Sequence, residues 1–136
     1  MSKNEIIKNI ISSFHEYGMS AKYEGNENAV FSSISGLKFA AIVLPDQNSV
    51  TFLTSINIKT TEKLIRKCNE FNSSLRFCRC YTEDDKIICQ IDFFVVKSSK
   101  FSKEILSYYI PIWETFLGRI VTHISENAES DATNIP

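Results

Sequence analysis

The chain has 136 residues, of which 43% are hydrophobic and 23% charged, and its net charge is −1. These values are those of one folded domain with enough apolar side chains for a core. The near-zero charge argues against binding to nucleic acid or to an anionic membrane. Because no apolar run could span a membrane and the first residues lack the features of a signal peptide, we expect a cytoplasmic protein with reduced thiols.

The first predicted elements are a helix and a group of strands. Ser2 and Glu5 form the pattern of a capping box, and apolar residues then repeat at helical spacing until Gly18. Turn-forming residues separate the strand-like segments that follow. These segments are residues 20–24, 29–34, 37–44 and 49–56.

The second half of the chain alternates helices with a hairpin. Thr60 or Thr61 can cap a short second helix, which ends at the sequence NSS, residues 72–74. Strands at 75–81 and 86–96 then flank an acidic turn, and residues 102–124 form a long helix. We predict a single domain over residues 1–124, followed by a disordered acidic tail over residues 125–136.

One proline lies inside the last predicted helix. Pro111 has no N–H to donate to the carbonyl of Ser107. Both residues fall on the polar stripe of the helix, where water can satisfy the freed carbonyl. We therefore expect the helix to bend at this point and not to end.

The order α-β-β-β-β-α-β-β-α with short connections predicts an α+β fold, in which helices pack on an antiparallel sheet. A sheet with one wet face should show clean alternation of apolar and polar residues. The strand at 37–44 does not, because Ala40, Ile42 and Leu44 alternate with other apolar residues. Both faces of the sheet therefore need cover, and three helices need not be enough.

The four cysteines allow three interpretations: a metal site, a redox switch or core packing. Zinc sites favour two to four residues between paired cysteines, whereas one residue separates Cys78 from Cys80. On a strand these two side chains share a face, about 7 Å apart. Because free cysteine packs as a small apolar group, core packing is favoured for these two and for Cys68 and Cys89.

The length of the acidic turn at Glu83–Lys86 decides the register of the last hairpin, and two registers are open. A two-residue turn at Asp84 and Asp85 places Cys80 opposite Cys89 and Cys78 opposite Ile91. A three-residue turn instead pairs Arg76 with Asp92 and leaves Cys80 beside Ile88. Arg76 and Arg79 can have a structural role and pair across strands with Asp92 or Gln90.

No catalytic, cofactor-binding or metal-binding set is predicted. His15 and His123 lie near the ends of different helices, and no third potential metal ligand follows them at a spacing typical of a metal site. The sequence contains no phosphate-binding loop and no hydrolase or metalloprotease motif. We therefore predict a protein that is not an enzyme.

Four segments together resemble the YbjN domain family: CNEFNSSLRF, TEDDKI, CQIDFFV and FSKEILSYYIPIWETF. The resemblance spans residues 4–124. It implies a fold like that of type III secretion chaperones, in which a twisted antiparallel sheet carries its helices on one side, and it implies frequent dimers. Family members are described as candidate regulators of sensory transduction or stress responses, without an established enzymatic activity.

These observations predict a non-enzymatic protein-interaction module with a regulatory role. The alternatives are a type III secretion chaperone-like protein that binds an effector segment, and a small-ligand-binding domain or enzyme with a pocket between the sheet and the last helix. Secretion chaperones tend to be strongly acidic, which a net charge of −1 does not match.

The expected partners are a second copy of the chain and an unidentified protein, with no nucleic acid and no membrane. Exposed apolar surface usually marks an interface, and symmetric dimers are the commonest oligomers. The predicted interface contacts are Phe94, Val96, Tyr108 and Trp113.

Overall fold

The computed structural model describes residues 2–25, 27–44, 48–74, 77–95 and 99–133, with side chains of the last helix described for 103–126. These residues form three helices and five strands. In chain order they are α1 (Lys3–Glu16), β1 (Ala29–Ile34), β2 (Leu37–Leu44), β3 (Ser49–Asn57), α2 (Glu62–Ser74), β4 (Cys78–Thr82), β5 (Lys86–Phe94) and α3 (Ser99–Thr133).

The five strands form one antiparallel sheet in the order β1-β2-β3-β5-β4. This confirms the predicted α+β class, with one element different. Residues 20–24 contribute only a single bridge, between Lys22 and Phe31. They form no full strand because the Ser32 hydroxyl occupies the carbonyl of Ser20, and Gly25, at φ +86°, then turns the chain.

The helix signals in the sequence act as predicted at α1 and α2. The Ser2 hydroxyl accepts the Glu5 N–H at 3.2 Å at the start of α1. Thr61 is the residue that caps α2, because its hydroxyl accepts the Leu64 N–H at 3.1 Å. Each cap satisfies a backbone donor that has no partner inside the helix.

The hairpin between β4 and β5 has the two-residue turn. Glu83 and Lys86 exchange both backbone hydrogen bonds at 3.0 Å, and Asp84 and Asp85 take positive φ angles of 45° and 55°. These angles are those of a type I′ turn, whose twist matches that of the flanking strands. Cys80 therefore lies opposite Cys89, with Cys78 opposite Ile91, and the three-residue alternative is excluded.

All three helices contribute to one core on one face of the sheet. The buried apolar side chains of α1, α2 and α3 form a single cluster with every second residue of the strands, such as Ala41, Phe52 and Ile91. Ala41 pairs with Phe52, and Phe52 with Ile91, so these side chains lie in one row across the sheet. The opposite face, which we call the outer face, is left without a helix among the described residues.

The helix α3 runs without a break through Pro111, as predicted. The freed carbonyl of Ser107 does not depend on water, because the Tyr17 hydroxyl donates to it at 2.6 Å. The helical backbone also continues from Ser125 to Thr133, in the segment predicted to be disordered. Residues 125–133 contain no Gly or Pro, and extending an existing helix is far easier than nucleating one.

Over the residues that are described, no helix combines the length and the apolar content needed to cross a bilayer. The α3 helix is the longest element, yet charged residues recur on its exposed side, for example Glu104, Glu114 and Arg119.

Candidate interaction surface

The outer face of the sheet carries more apolar side chains than a solvated face needs. Large hydrophobic residues are exposed on four of its strands: Phe31, Leu44, Tyr81 and Phe94. Between them, Ala40, Ile42, Leu53 and Ile88 are only half-buried. This explains the missing alternation in the sequence, because apolar residues line both faces of the sheet but helices cover only one.

A polar network lies within this outer face, around Asp92. The carboxylate accepts a hydrogen bond from the Thr51 hydroxyl at 2.6 Å and from the Gln90 side-chain amide at 3.0 Å. The Arg79 guanidinium lies 3.8 Å away. The predicted pairing of Arg79 with Asp92 is therefore confirmed, whereas Arg76 lies outside the described residues. The network keeps Asp92 satisfied, and the rest of the outer face mixes apolar side chains with polar and basic ones, such as the exposed Lys38 and Lys86.

At one corner of the sheet, the end of β5 and the first half of α3 form a pocket of about 410 Å³. Phe94, Ile105, Tyr108, Tyr109 and Glu104 line it, and we call it the aromatic pocket. Phe94 is 76% exposed and Tyr108 is 65% exposed. These are unusually high values for large hydrophobic side chains that lie beside one another, and such patches mark binding surfaces.

Packing against the core holds the walls of the aromatic pocket in place. The ring of Tyr109 stacks on Phe93, with centroids 4.6 Å apart and planes 11° apart. Phe77 and Tyr108 each contact the same ring edge-on, at 5.9 Å and 5.6 Å. Stacked and edge-on contacts are the preferred geometries of aromatic pairs, so Tyr109 is a fixed wall.

Two of the four predicted interface residues, Phe94 and Tyr108, therefore meet at this pocket. Trp113 does not, and its assignment to an interface is wrong. It is fully buried, with its ring packed against Phe39, Phe52 and Phe116. The reason is helical periodicity, because Trp113 lies on the inner side of α3 with Ile110 and Leu117. Val96 lies outside the described residues.

Glu104, Ile105 and Tyr109 line the pocket but were not among the predicted interface residues. Their spacing holds a usable signal, because residues 104, 105, 108 and 109 are one helical turn apart and share one side of α3. Nothing in the sequence alone could place Phe94 opposite them, since that contact joins two elements through the tertiary fold.

The four cysteines are free and buried, which confirms the core-packing prediction. Burial raises the pKa of Cys78 to about 12, and that of Cys89 to about 12. A hydrogen bond between Cys80 and Cys68 raises the pKa of Cys80 and lowers that of Cys68. Within the described ranges, no group of three or more potential ligands is placed to hold a metal ion.

The edge strand β4 is protected by Asn72 at the end of α2. The Asn72 amide accepts the Cys80 N–H and donates to the Cys80 carbonyl, both at 2.8 Å. Asn72 thus bonds to β4 as a neighbouring strand would. It satisfies the N–H and the carbonyl of Cys80, which could otherwise pair with a strand of another chain. The outward-facing backbone groups of Cys80 are therefore not available to an added strand.

A second cavity, of about 300 Å³, lies between α2 and α3 and not between the sheet and α3. Lys59, Lys63 and His123 line it. The pKa of His123 is lowered, chiefly by burial and then by the charges of Lys67 and Lys63. The other histidine, at position 15, is exposed in the last turn of α1 and does not line this cavity.

The chain was compared with known proteins. No protein-family model matches it, and no curated protein matches it in sequence. It is similar to a solved structure described as YbjN, "a putative transcription regulator from E. coli", with a TM-score of 0.63. The match covers 86% of this chain and 92% of that chain at 12% identity. At this identity the likeness shows the fold alone, and it confirms the predicted YbjN-like architecture.

Proposed function

We propose that this protein is a non-enzymatic regulatory module of the YbjN type, which acts by binding another protein through the aromatic pocket and the adjoining outer face. The observation that carries the proposal is the meeting of Phe94 and Tyr108 at one pocket, both mostly exposed. Similarity of fold to a structure described as a transcription regulator supports the regulatory part. It does so by analogy, since fold does not fix function.

The energetics of this surface suit protein binding. Aromatic residues dominate interface energies because they bury a large apolar area and lose few rotamers. Phe94 and Tyr108 are solvated in the free chain, so a partner that covers them gains their burial. At about 25 cal/mol per Å² of apolar area, one such side chain contributes on the order of 2 kcal/mol.

The decisive experiment is capture of partners from native lysate with the wild-type chain and with Phe94→Glu. The proposal expects that a co-purifying protein is lost with Phe94→Glu, while circular dichroism shows an unchanged fold. Ile65→Glu is the matched control, because Ile65 is 42% exposed but lies on α2, outside this surface. A partner that survives Phe94→Glu, or one that is lost equally with Ile65→Glu, contradicts the proposal.

A second copy of the chain is a further proposed partner, and the two copies would contact each other through the outer face of the sheet. Five strands spaced about 4.8 Å apart, with lengths up to nine residues, span roughly 20 by 25 Å. This is a projected area of about 500 Å², below the roughly 800 Å² of accessible surface that each side of a standard interface buries, so the exposed apolar side chains of the outer face are what supports the dimer. Light scattering at high micromolar concentration should therefore give the mass of a dimer, and a monomer mass at that concentration contradicts this part.

The cavity between α2 and α3 favours a second candidate function, binding of a small anion. Its lining carries Lys59, Lys63 and His123 and, among the described residues, no carboxylate. A thermal-shift screen of metabolites against the wild-type chain and His123→Ala tests it. Turnover of any metabolite that is lost in His123→Ala or His15→Ala contradicts the non-enzymatic assignment.

A further inference from the structure

We propose that the aromatic pocket takes a cationic side chain of the partner protein, the ammonium group of a lysine or the guanidinium group of an arginine. This inference rests on the proposed function and names the chemistry of the anchor. It follows from three features of the pocket: its composition, its charge relative to the other cavities, and the arrangement of its rings.

The composition of the pocket is that of a site for a cation with an apolar stem. Phe94, Tyr108 and Tyr109 supply aromatic rings, and Ile105 supplies an aliphatic surface. The face of an aromatic ring carries negative charge density and attracts a cation within about 6 Å of its centroid. Lysine and arginine have long methylene stems that pack on apolar surface while the charged head stays near water.

Glu104 gives the pocket a negative charge at its rim. Glu104 is exposed and forms no ion pair with any described residue, whereas the neighbouring Lys103 is paired with Glu16 at 2.7 Å. A carboxylate beside the rings adds a direct charge partner for an entering ammonium or guanidinium group. The rings and the carboxylate therefore favour the same sign of charge.

Three other cavities among the described residues differ in this respect. The two between α2 and α3 carry Lys59, Lys63, Lys67 and Arg119 with one carboxylate, Glu126, and the one beside β1 carries Lys22 and Lys38 together with Glu24 and Glu27. The aromatic pocket has no basic residue in its described lining. Among these four cavities, it is the one whose described lining holds a carboxylate and no basic residue, so an incoming cation meets no like charge there.

The rings are arranged before any ligand arrives. The planes of Tyr108 and Tyr109 are 88° apart with centroids 5.6 Å apart, so they form two adjoining walls. Tyr109 is held from behind by its stack on Phe93. A wall that is already fixed loses little conformational entropy on binding, which favours affinity. A volume of about 410 Å³ lies in the range of small-ligand pockets, which run from about 300 to 1,000 Å³.

The test uses small probes and the whole chain. Labelling with 3-fluorotyrosine gives ¹⁹F NMR signals, and the signal of residue 108 is assigned by its loss in Tyr108→Leu. The chain is titrated with n-butylammonium, with methylguanidinium and with n-butanol, which is a neutral analogue of the first. We expect saturable shifts of the Tyr108 signal with both cations. The affinity for n-butanol should be about 4- to 25-fold weaker, the product of about 2- to 5-fold for an exposed cation–π contact and a similar factor for the Glu104 carboxylate.

Two variants complete the test. Glu104→Gln should weaken n-butylammonium about 2- to 5-fold without changing n-butanol, since only the charge is removed. Tyr108→Leu keeps an apolar wall and should reduce the preference for the cation to the part that Glu104 supplies. Because this variant lacks the Tyr108 signal, its binding is followed through the ¹⁹F signal of Tyr109, which also lines the pocket. The matched control is Glu114→Gln, an exposed carboxylate on the same helix that does not line the pocket. Equal binding of n-butanol and n-butylammonium, or no effect of Glu104→Gln, overturns the inference.

The two proposals fail separately. If Phe94→Glu removes the captured partner but the pocket shows no preference for cations, the interaction module stands and the cationic anchor is wrong. If the pocket prefers cations but partner capture is unaffected by Phe94→Lys, which places a like charge in the pocket, the cation site stands as a site for a small ammonium or guanidinium compound. In that case the anchor on a partner protein is overturned.

Discussion

Replacing Asn72 by alanine should destabilise the fold through the edge of β4. Asn72 makes two hydrogen bonds to the backbone of Cys80, both 2.8 Å long and partly buried. Each such bond contributes about 0.5–1.5 kcal/mol net, so their loss together costs about 1–3 kcal/mol. With an unfolding entropy near 2.1 cal/mol/K per residue and 136 residues, this lowers Tm by about 4–10 °C.

Thermal unfolding by circular dichroism or calorimetry measures this change, and two further variants sharpen it. Asn72→Asp keeps an acceptor for the Cys80 N–H but sets a carboxylate oxygen against the Cys80 carbonyl, so it should cost more than alanine. Ser73→Ala is the control, since the Ser73 hydroxyl bonds only to the Asn69 carbonyl of its own helix. If Asn72→Ala lowers Tm no more than Ser73→Ala does, the edge-protecting role of Asn72 is wrong.

Three further predictions concern other contacts. Tyr17→Phe should lower the free energy of unfolding by about 0.5–1.5 kcal/mol in the wild-type chain, because it removes the hydrogen bond to the Ser107 carbonyl. In Pro111→Ala, the N–H of residue 111 can bond to that carbonyl, so Tyr17→Phe should cost almost nothing. Equal costs in the two backgrounds of this double-mutant cycle would refute the contact. Cys78→Ser should cost about 1–3 kcal/mol in urea unfolding, because it buries an unpaired hydroxyl. Lys67→Met should raise the depressed pKa of His123, as measured by NMR of the imidazole ring, because it removes a nearby positive charge. The contribution of His123 to stability is present above the ordinary histidine pKa and is lost as pH falls through the lowered pKa. An unchanged pKa in Lys67→Met would contradict the assigned cause.

The sequence determined the features that depend on neighbouring residues. Ser2 caps α1 and Thr61 caps α2 because a cap needs only a short polar side chain beside the first turn. The burial of Cys78 and Cys80 followed from the two-residue period of a strand. The missing alternation at 37–44 likewise indicated that both faces of the sheet need cover, for which three helices need not be enough.

Features that join distant parts of the chain were decided by the tertiary structure. The residue types at Glu83–Lys86 are compatible with both a two-residue and a three-residue turn. The structure has the two-residue turn. Trp113 shows the same limit, because an aromatic on an amphipathic helix can face the core or a partner. Its burial depends on where α3 lies over Phe39 and Phe52.

The sequence therefore determined that this chain folds as α+β and leaves apolar surface exposed, and the tertiary structure decided where that surface becomes a site. Periodicity reports which residues of one element share a face, but it contains no information on which elements meet. Phe94 and Tyr108 are far apart along the chain, and they line one pocket because β5 ends beside the first half of α3. The bond from Tyr17 to Ser107 is set in the same way, by the packing of α1 against α3.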